Sequence, residues 1–326
     1  MLRFKNHIIW IIALALVVGR SMAQQVPSFS QYMFNKFIIN PAVAGSEGYT
    51  AYTLTSRVQW QGFKEAPITN AISYQTRLVK NRYEFRLSRD RKRWVAPEYG
   101  NMGLGFHLYN DRRGILNQTS LQLTYAYHVK LFLKQQLSFG FTSSLTQFKV
   151  NSDKMNPFQP DNYLDNNRMS AFIPDFNFGV YYVSQYSFVG LSVTQMIQSN
   201  KYMGSYAENN FKLDRNYNLI VGYRAQMNTA FSLEPSFQVK STEKLFYQVD
   251  ASLRLYYRNQ IWGGLAYRSN SAFVITLGAK YNNWYFGYAY DFSTNGLQNY
   301  SFGSHELVIS LKFAKYVRKY KWTERF

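Results

Sequence analysis

Few side chains in this sequence are suited to chemistry. Beyond residue 23 the histidines are His107, His128 and His305. A hydrolase would set one of them beside a nucleophile, with a third group orienting the ring. His128 falls on the polar parity of its segment and no G-x-S-x-G turn lies near it, so it reads as an interior polar side chain. Nor is there a metal-ligand cluster or a glycine loop that would cradle phosphate. Residues 149–173 carry Asp153, Asp161, Asn162, Asp165, Asn166 and Asn167, oxygen donors of the kind that hold calcium. Their spacing matches no EF-hand, and Asp and Asn are ordinary turn formers. No metal, no cofactor and no enzymatic activity are expected.

The elements that would position any site follow from bulk properties. Residues 1–23 combine Arg3 and Lys5 with an apolar run from Ile8 to Val18 and end in Ser21-Met22-Ala23, the form of a cleaved secretory signal. That run is shorter than the roughly 20 residues a spanning helix needs, and no later stretch approaches the length. Only strands could take this chain into a membrane. Formal net charge is +19, or +16 once Arg3, Lys5 and Arg20 leave with the signal. Such an excess would suit nucleic acid in a cytosolic protein, but in an exported chain with no binding motif no nucleic-acid partner is expected. Cysteine is absent, so disulfides play no part in stability. Aromatics make up 18% of the chain, with 28 Tyr and 26 Phe, while mean hydropathy is −0.33. Many aromatics without net hydrophobicity is what a lipid-facing band around a polar lumen requires.

Periodicity points the same way. In YQVDASLRLYY, residues 247–257, Tyr247, Val249, Ala251, Leu253 and Leu255 share one parity, and Gln248, Asp250, Ser252 and Arg254 the other. LQLTYAYHV (121–129), WYFGYAYDF (284–292) and LVISLKF (307–313) alternate likewise. Repeated segments of about ten residues separated by turn residues are the signature of an outer-membrane barrel. Strands are expected over 48–60, 68–79, 99–110, 116–130, 135–148, 174–184, 186–195, 216–226, 229–239, 245–257, 260–268, 271–281, 283–292 and 304–314, with no long amphipathic helix. The fold class is therefore all-β, a transmembrane antiparallel β-barrel of about 14 strands. With a periplasmic amino terminus, the even-to-odd links are tight turns and the odd-to-even links longer surface loops, such as 149–173, 196–215 and 293–303. Ser269-Asn270 and residues 80–98 depart from that rule. A soluble sandwich or propeller would explain the alternation but not the sorted loops.

The amino-terminal block, SFSQYMFNKFIINPAVAGSEG followed by RVQWQGFKEAPIT, resembles the opening of the PorP/SprF family of type IX secretion system outer-membrane proteins of Bacteroidota. The residues that carry the resemblance are Phe29, Ser30, Gln31, Tyr32, Asn35, Asn40, Pro41, Ala42, Ala44 and Gly45, then Arg57, Gln59, Trp60, Ala66, Pro67 and Thr69. Ser304-His305-Glu306-Leu307 is similar to the family's last strand, so the likeness spans the mature chain. Lys36-Phe37 stands where a Pro-Leu pair is more typical. The resemblance implies a non-catalytic barrel that works with the type IX translocon in secreting or anchoring large surface proteins, such as gliding adhesins, with a type B carboxy-terminal sorting domain. It also implies contact with periplasmic secretion or gliding components, and makes Phe29, Ser30, Gln31, Tyr32, Asn35, Asn40, Pro41, Gly45, Arg57, Gln59 and Trp60 candidate partner-binding residues.

Four regions are then expected: a signal at 1–23, a motif segment at 24–47, a barrel at 48–314 and a basic periplasmic tail at 315–326. Asn40-Pro41 sets an extended residue before a fixed φ, and Gly45 can take positive φ, so NPAVAG reads as a shaped turn into the first strand. The motif segment is either a plug within the barrel or an anchor for the amino terminus. Residues 80–98 carry Arg82, Arg86, Arg89, Arg91, Lys92, Arg93 and Trp94, either a solvated loop or a docking surface for an acidic periplasmic partner. Lys315, Arg318, Lys319, Lys321 and Arg325 repeat that composition in the tail. Loops 149–173 and 196–215 are candidates for contact with the exported client. A passive channel or small-molecule transporter, its lumen lined by Arg224, Asp250, Arg254 and Asp291, is the alternative function.

Overall fold

The computed structural model describes residues 27–80, 98–132, 135–150, 170–198, 201–202, 210–211, 213–244, 247–269, 271–294, 296 and 301–313. The expected signal, basic residues 81–97 with Arg82, Arg86, Arg89, Arg91, Lys92, Arg93 and Trp94, loop residues 151–169 and the tail lie outside these.

Fourteen long strands follow in chain order: β1 Thr50–Val58, β2 Ile68–Lys80, β3 Glu98–Arg113, β4 Leu116–Phe132, β5 Gln135–Val150, β6 Ser170–Val183, β7 Ser187–Thr194, β8 Asn216–Tyr223, β9 Phe231–Thr242, β10 Tyr247–Tyr257, β11 Ile261–Arg268, β12 Ala272–Tyr281, β13 Trp284–Ser293 and β14 Ser304–Phe313. Each pairs antiparallel with its sequence neighbours, and β1 pairs with β14 from Thr50↔Phe313 to Val58↔His305. The sheet is thus a closed 14-strand barrel with no free edge, the arrangement that satisfies backbone groups in lipid. Every expected strand has a counterpart.

Boundaries differ where local chemistry misleads. The sixth strand is expected from Pro174, yet it starts at Ser170. Pro174 lies opposite Leu145 of β5, and the register with β7 begins only at Phe178, so its missing N–H falls where the β7 ladder has not begun. β1 stops at Val58, short of residue 60, because Trp60 adopts φ 51° and Gln59 turns its N–H to Pro67 O.

Burial is inside out relative to a soluble protein. Along β4, Leu121, Leu123, Tyr125 and Tyr127 are exposed, while Ser120, Thr124, Ala126 and His128 are buried. The same division runs around the ring, with Leu191, Leu265, Phe273 and Leu307 outward and Ser192, Ser236, Asp291 and Glu306 inward. So continuous an apolar exterior belongs in hydrocarbon, since monomeric soluble proteins rarely expose more than a few hundred Å² in one patch. Leu123, 57% exposed near the middle of β4, gives a direct check. Leu123→Arg is expected to destabilise the barrel in phospholipid vesicles by about 2–4 kcal/mol, read by denaturant unfolding. The outward-facing charge has no acceptor in lipid, whereas the same change in a water-facing strand would be nearly silent.

The polar lumen is filled. Residues 28–48 run through it from a level near the ends of β1 and β13 to the start of β1, and Phe29, Tyr32, Met33, Phe37, Ala42, Val43 and Ala44 are buried among inward side chains. Two single-turn 3-10 segments, Lys36–Ile38 and Pro41–Val43, shape this course.

Candidate functional site

The described part of residues 24–47 lies within the barrel, and its seating uses most of the motif residues. At the long-loop end, Arg57 of β1 lies 2.7 Å from Asp291 of β13 and 2.9 Å from Glu306 of β14, and donates to Ser30 Oγ as well. Arg268 of β11 reaches Asp250 of β10 and Asp291, each at 3.2 Å. Glu306 also accepts the backbone N–H groups of Ser30 (2.7 Å) and Gln31 (2.9 Å), while Ser30 Oγ donates to Asp291 at 2.7 Å. Two guanidinium groups and three carboxylates thus close around the Ser30-Gln31 backbone. The plug's own N–H and hydroxyl donors supply what two cations cannot give three buried anions. Asp250 and Asp291, named as lumen lining under the channel alternative, belong to this clasp.

Midway, Asn35 donates to Ser73 Oγ of β2 at 2.8 Å. Lys36 pairs with Glu47 at 3.0 Å and lies over the Phe188 ring at 4.6 Å.

At the short-turn end, Asn40 is extended at φ −132° and ψ 115°, and its Oδ1 accepts from Ala42 N at 2.9 Å to cap the Pro41 turn. Its Nδ2 donates to Val180 O (3.0 Å) and Leu191 O (3.1 Å), tying the turn to β6 and β7. His128 Nε2 meets Ala44 O at 3.0 Å and its Nδ1 meets Ser138 Oγ at 2.8 Å. A carbonyl only accepts, so Nε2 carries the proton and Nδ1 accepts from the hydroxyl. Although a histidine beside a serine resembles part of a hydrolase, this ring is fully buried and clamped by plug backbone. The pair serves as a latch. Gly45 takes φ 68° and donates to Gln75 Oε1 at 3.2 Å. Asn40→Ala would remove the cap and two bonds to wall carbonyls, which are about 1 kcal/mol apiece. The turn is expected to lose about 2–3 kcal/mol of local stability, measurable as faster amide exchange at Ala42 to Ala44.

Sequence reasoning did not single out the wall glycines. A Cβ at Gly103 would stand 2.0 Å from Ala44 O, at Gly140 2.2 Å from Ala42 N, and at Gly179 2.1 Å from Asn40 Oδ1. These positions on β3, β5 and β6 face inward and let the plug's backbone lie against the wall. Their signal was glycine on the polar parity of several strands, which marks close approach of another backbone. Gln59 and Trp60 sit apart from the plug at the β1–β2 link, where Trp60 N donates to Ser304 Oγ at 3.1 Å. Among the described residues no cluster of three or more His, Asp or Glu could hold a metal ion.

A closed barrel with an apolar exterior and a lumen filled by its own amino-terminal segment defines a plugged outer-membrane β-barrel. The model of the type IX secretion system membrane protein PorP/SprF family matches residues 21–311, and the chain belongs to that family. No curated protein is a significant match. Solved structures with a similar course include the Pseudomonas putida toluene transporter TodX, at 10% identity and TM-score 0.48 over 86% of this chain and 93% of that one. A Pseudomonas aeruginosa FadL homologue aligns at 12% identity and TM-score 0.44, over 90% of this chain and 96% of its own. The KdgM porin aligns at 10% identity and TM-score 0.38, over 81% and 99%.

Proposed function

We propose that this barrel is a non-catalytic component of type IX secretion that binds partners rather than passing solutes. Its clients would be large exported proteins, such as gliding adhesins with a type B carboxy-terminal sorting domain, which it helps secrete or hold at the cell surface. Both termini would face the periplasm, where the basic segments 80–98 and 315–326 would dock the secretion or gliding machinery. Family membership sets the system. The observation that supports the rest is the occupied lumen, in which Arg57, Asp291 and Glu306 are buried around Ser30 and Gln31. A passive channel needs a continuous aqueous path, and a clasp of buried ion pairs across the bore is poorly suited to one. Gentle solubilisation of tagged protein from its native outer membrane, followed by mass spectrometry, tests the reading. Recovery of a large surface protein or periplasmic machine components is expected. An isolated barrel, with none recovered after crosslinking, would count against it.

A further inference from the structure

Beside the plug, at the short-turn end, Phe34 and the wall residues Tyr256, Trp262 and Tyr285 border a small, partly open cavity, with Arg254 and Lys312 in its lining. Backbone bonding of Lys312 to Asn283 O, in the β12–β13 turn, fixes its level in the barrel. Lys312 is engaged, donating to the Tyr49 hydroxyl at 3.3 Å and lying 4.6 Å from the centre of the Tyr285 ring. Arg254 differs. It is 8% exposed, yet among the described residues its guanidinium meets no carboxylate, carbonyl or hydroxyl. Glu234, its partner across β9, lies 3.9 Å from Arg224 instead. On the other side stands Gly264, where a Cβ would be 2.5 Å from Arg254 Cγ, so the wall makes room for the arginine stem. The guanidinium nitrogens are not among the fully buried, unpartnered atoms and line the cavity instead, where an anion can reach them. Here the guanidinium borders empty space, among rings that offer little to a hydrated inorganic ion.

We propose that Arg254 and this ring-lined cavity form a binding site for an organic carboxylate. The planar fork of the guanidinium takes the carboxylate in bidentate fashion, Lys312 adds positive charge, and Phe34, Trp262 and Tyr285 cover a short apolar or aromatic stem. Two sources supply that chemistry, a free aryl or alkyl acid and the carboxy-terminal residue of a polypeptide. The site stands independently of the secretion reading.

The test is calorimetric titration of the full chain in detergent micelles with 3-phenylpropionate, with acetyl-Gly-Gly-Phe bearing a free carboxylate, with the amide of each, and with inorganic phosphate. Saturable binding of at least one carboxylate is expected, weakened about tenfold or more in its amide and in Arg254→Gln. Gly264→Ala keeps the charge but crowds the stem, and should weaken binding too. It carries the comparison if Arg254→Gln does not fold, with folding checked by heat-modifiable migration. Binding of the acid alone assigns the site to small molecules, binding of the peptide alone to a chain terminus, and binding of both to the shared head group. The proposal is overturned by a folded barrel that binds neither carboxylate. Equal affinity for amide or phosphate, or unchanged affinity in the folded variants, overturns it as well.

Discussion

Arg57→Met is expected to unseat the amino-terminal segment while leaving the barrel wall closed. The guanidinium holds Asp291 at 2.7 Å and Glu306 at 2.9 Å, and all three side chains are nearly inaccessible. Removing one partner from a buried ion network strands the others and costs about 3–5 kcal/mol. That loss falls on the plug, because β1 keeps its backbone ladders to β2 and β14. Hydrogen exchange of the reconstituted barrel should show residues 28–48 exchanging roughly a hundredfold faster or more, with the strand ladders little changed. Adding Asp291→Asn and Glu306→Gln to Arg57→Met should recover part of the protection, since no unpaired charge would remain. Unchanged exchange in the single variant would mean that the clasp does not hold the plug.

Gly140→Val should have a comparable effect at the other end. A Cβ at Gly140 would lie 2.2 Å from Ala42 N and 2.3 Å from Pro41 C, both backbone atoms that no rotamer change can move aside. Side-chain volume there and the Pro41–Val43 turn cannot occupy the same space, so the turn is expected to leave the wall and open a steady ionic conductance in planar bilayers. Gly263→Val is the matched control. Its nearest neighbour would be Leu277 Cδ2 at 3.5 Å, on the lipid face, and the barrel should stay closed. If Gly140→Val also stays closed, the turn between Asn40 and Gly45 is not what seals this end.

The barrel was legible because lipid enforces strict alternation. Leu253 and Leu255 face outward and Asp250 and Arg254 inward, as their parity in YQVDASLRLYY requires. Outward residues meet one uniform solvent, so periodicity suffices to place them. Inward residues meet specific partners, and periodicity cannot name them. Arg57 and Asp291 are 234 positions apart, on strands brought near each other by ring closure, and no local pattern links them. Asn40-Pro41 and Gly45 marked the turn, which forms at Pro41–Val43 with Gly45 at φ 68°. What the sequence left open was whether the motif segment lay inside the barrel. The deciding residues were Gly103, Gly140 and Gly179, which in isolation weaken a strand and acquire meaning only against Ala44, Ala42 and Asn40. His128 was placed on the inner face by parity, but its bond to Ala44 O depends on where the plug lies.

Single-channel recording of the wild-type protein, purified without partners and reconstituted in planar bilayers, tests most directly whether this barrel is sealed on its own. No steady open state is expected with residues 28–48 in place, because the segment is held across the bore by the clasp at Ser30 and the turn at Asn40. A large, steady conductance from the intact chain would contradict that and return the protein to the passive channels.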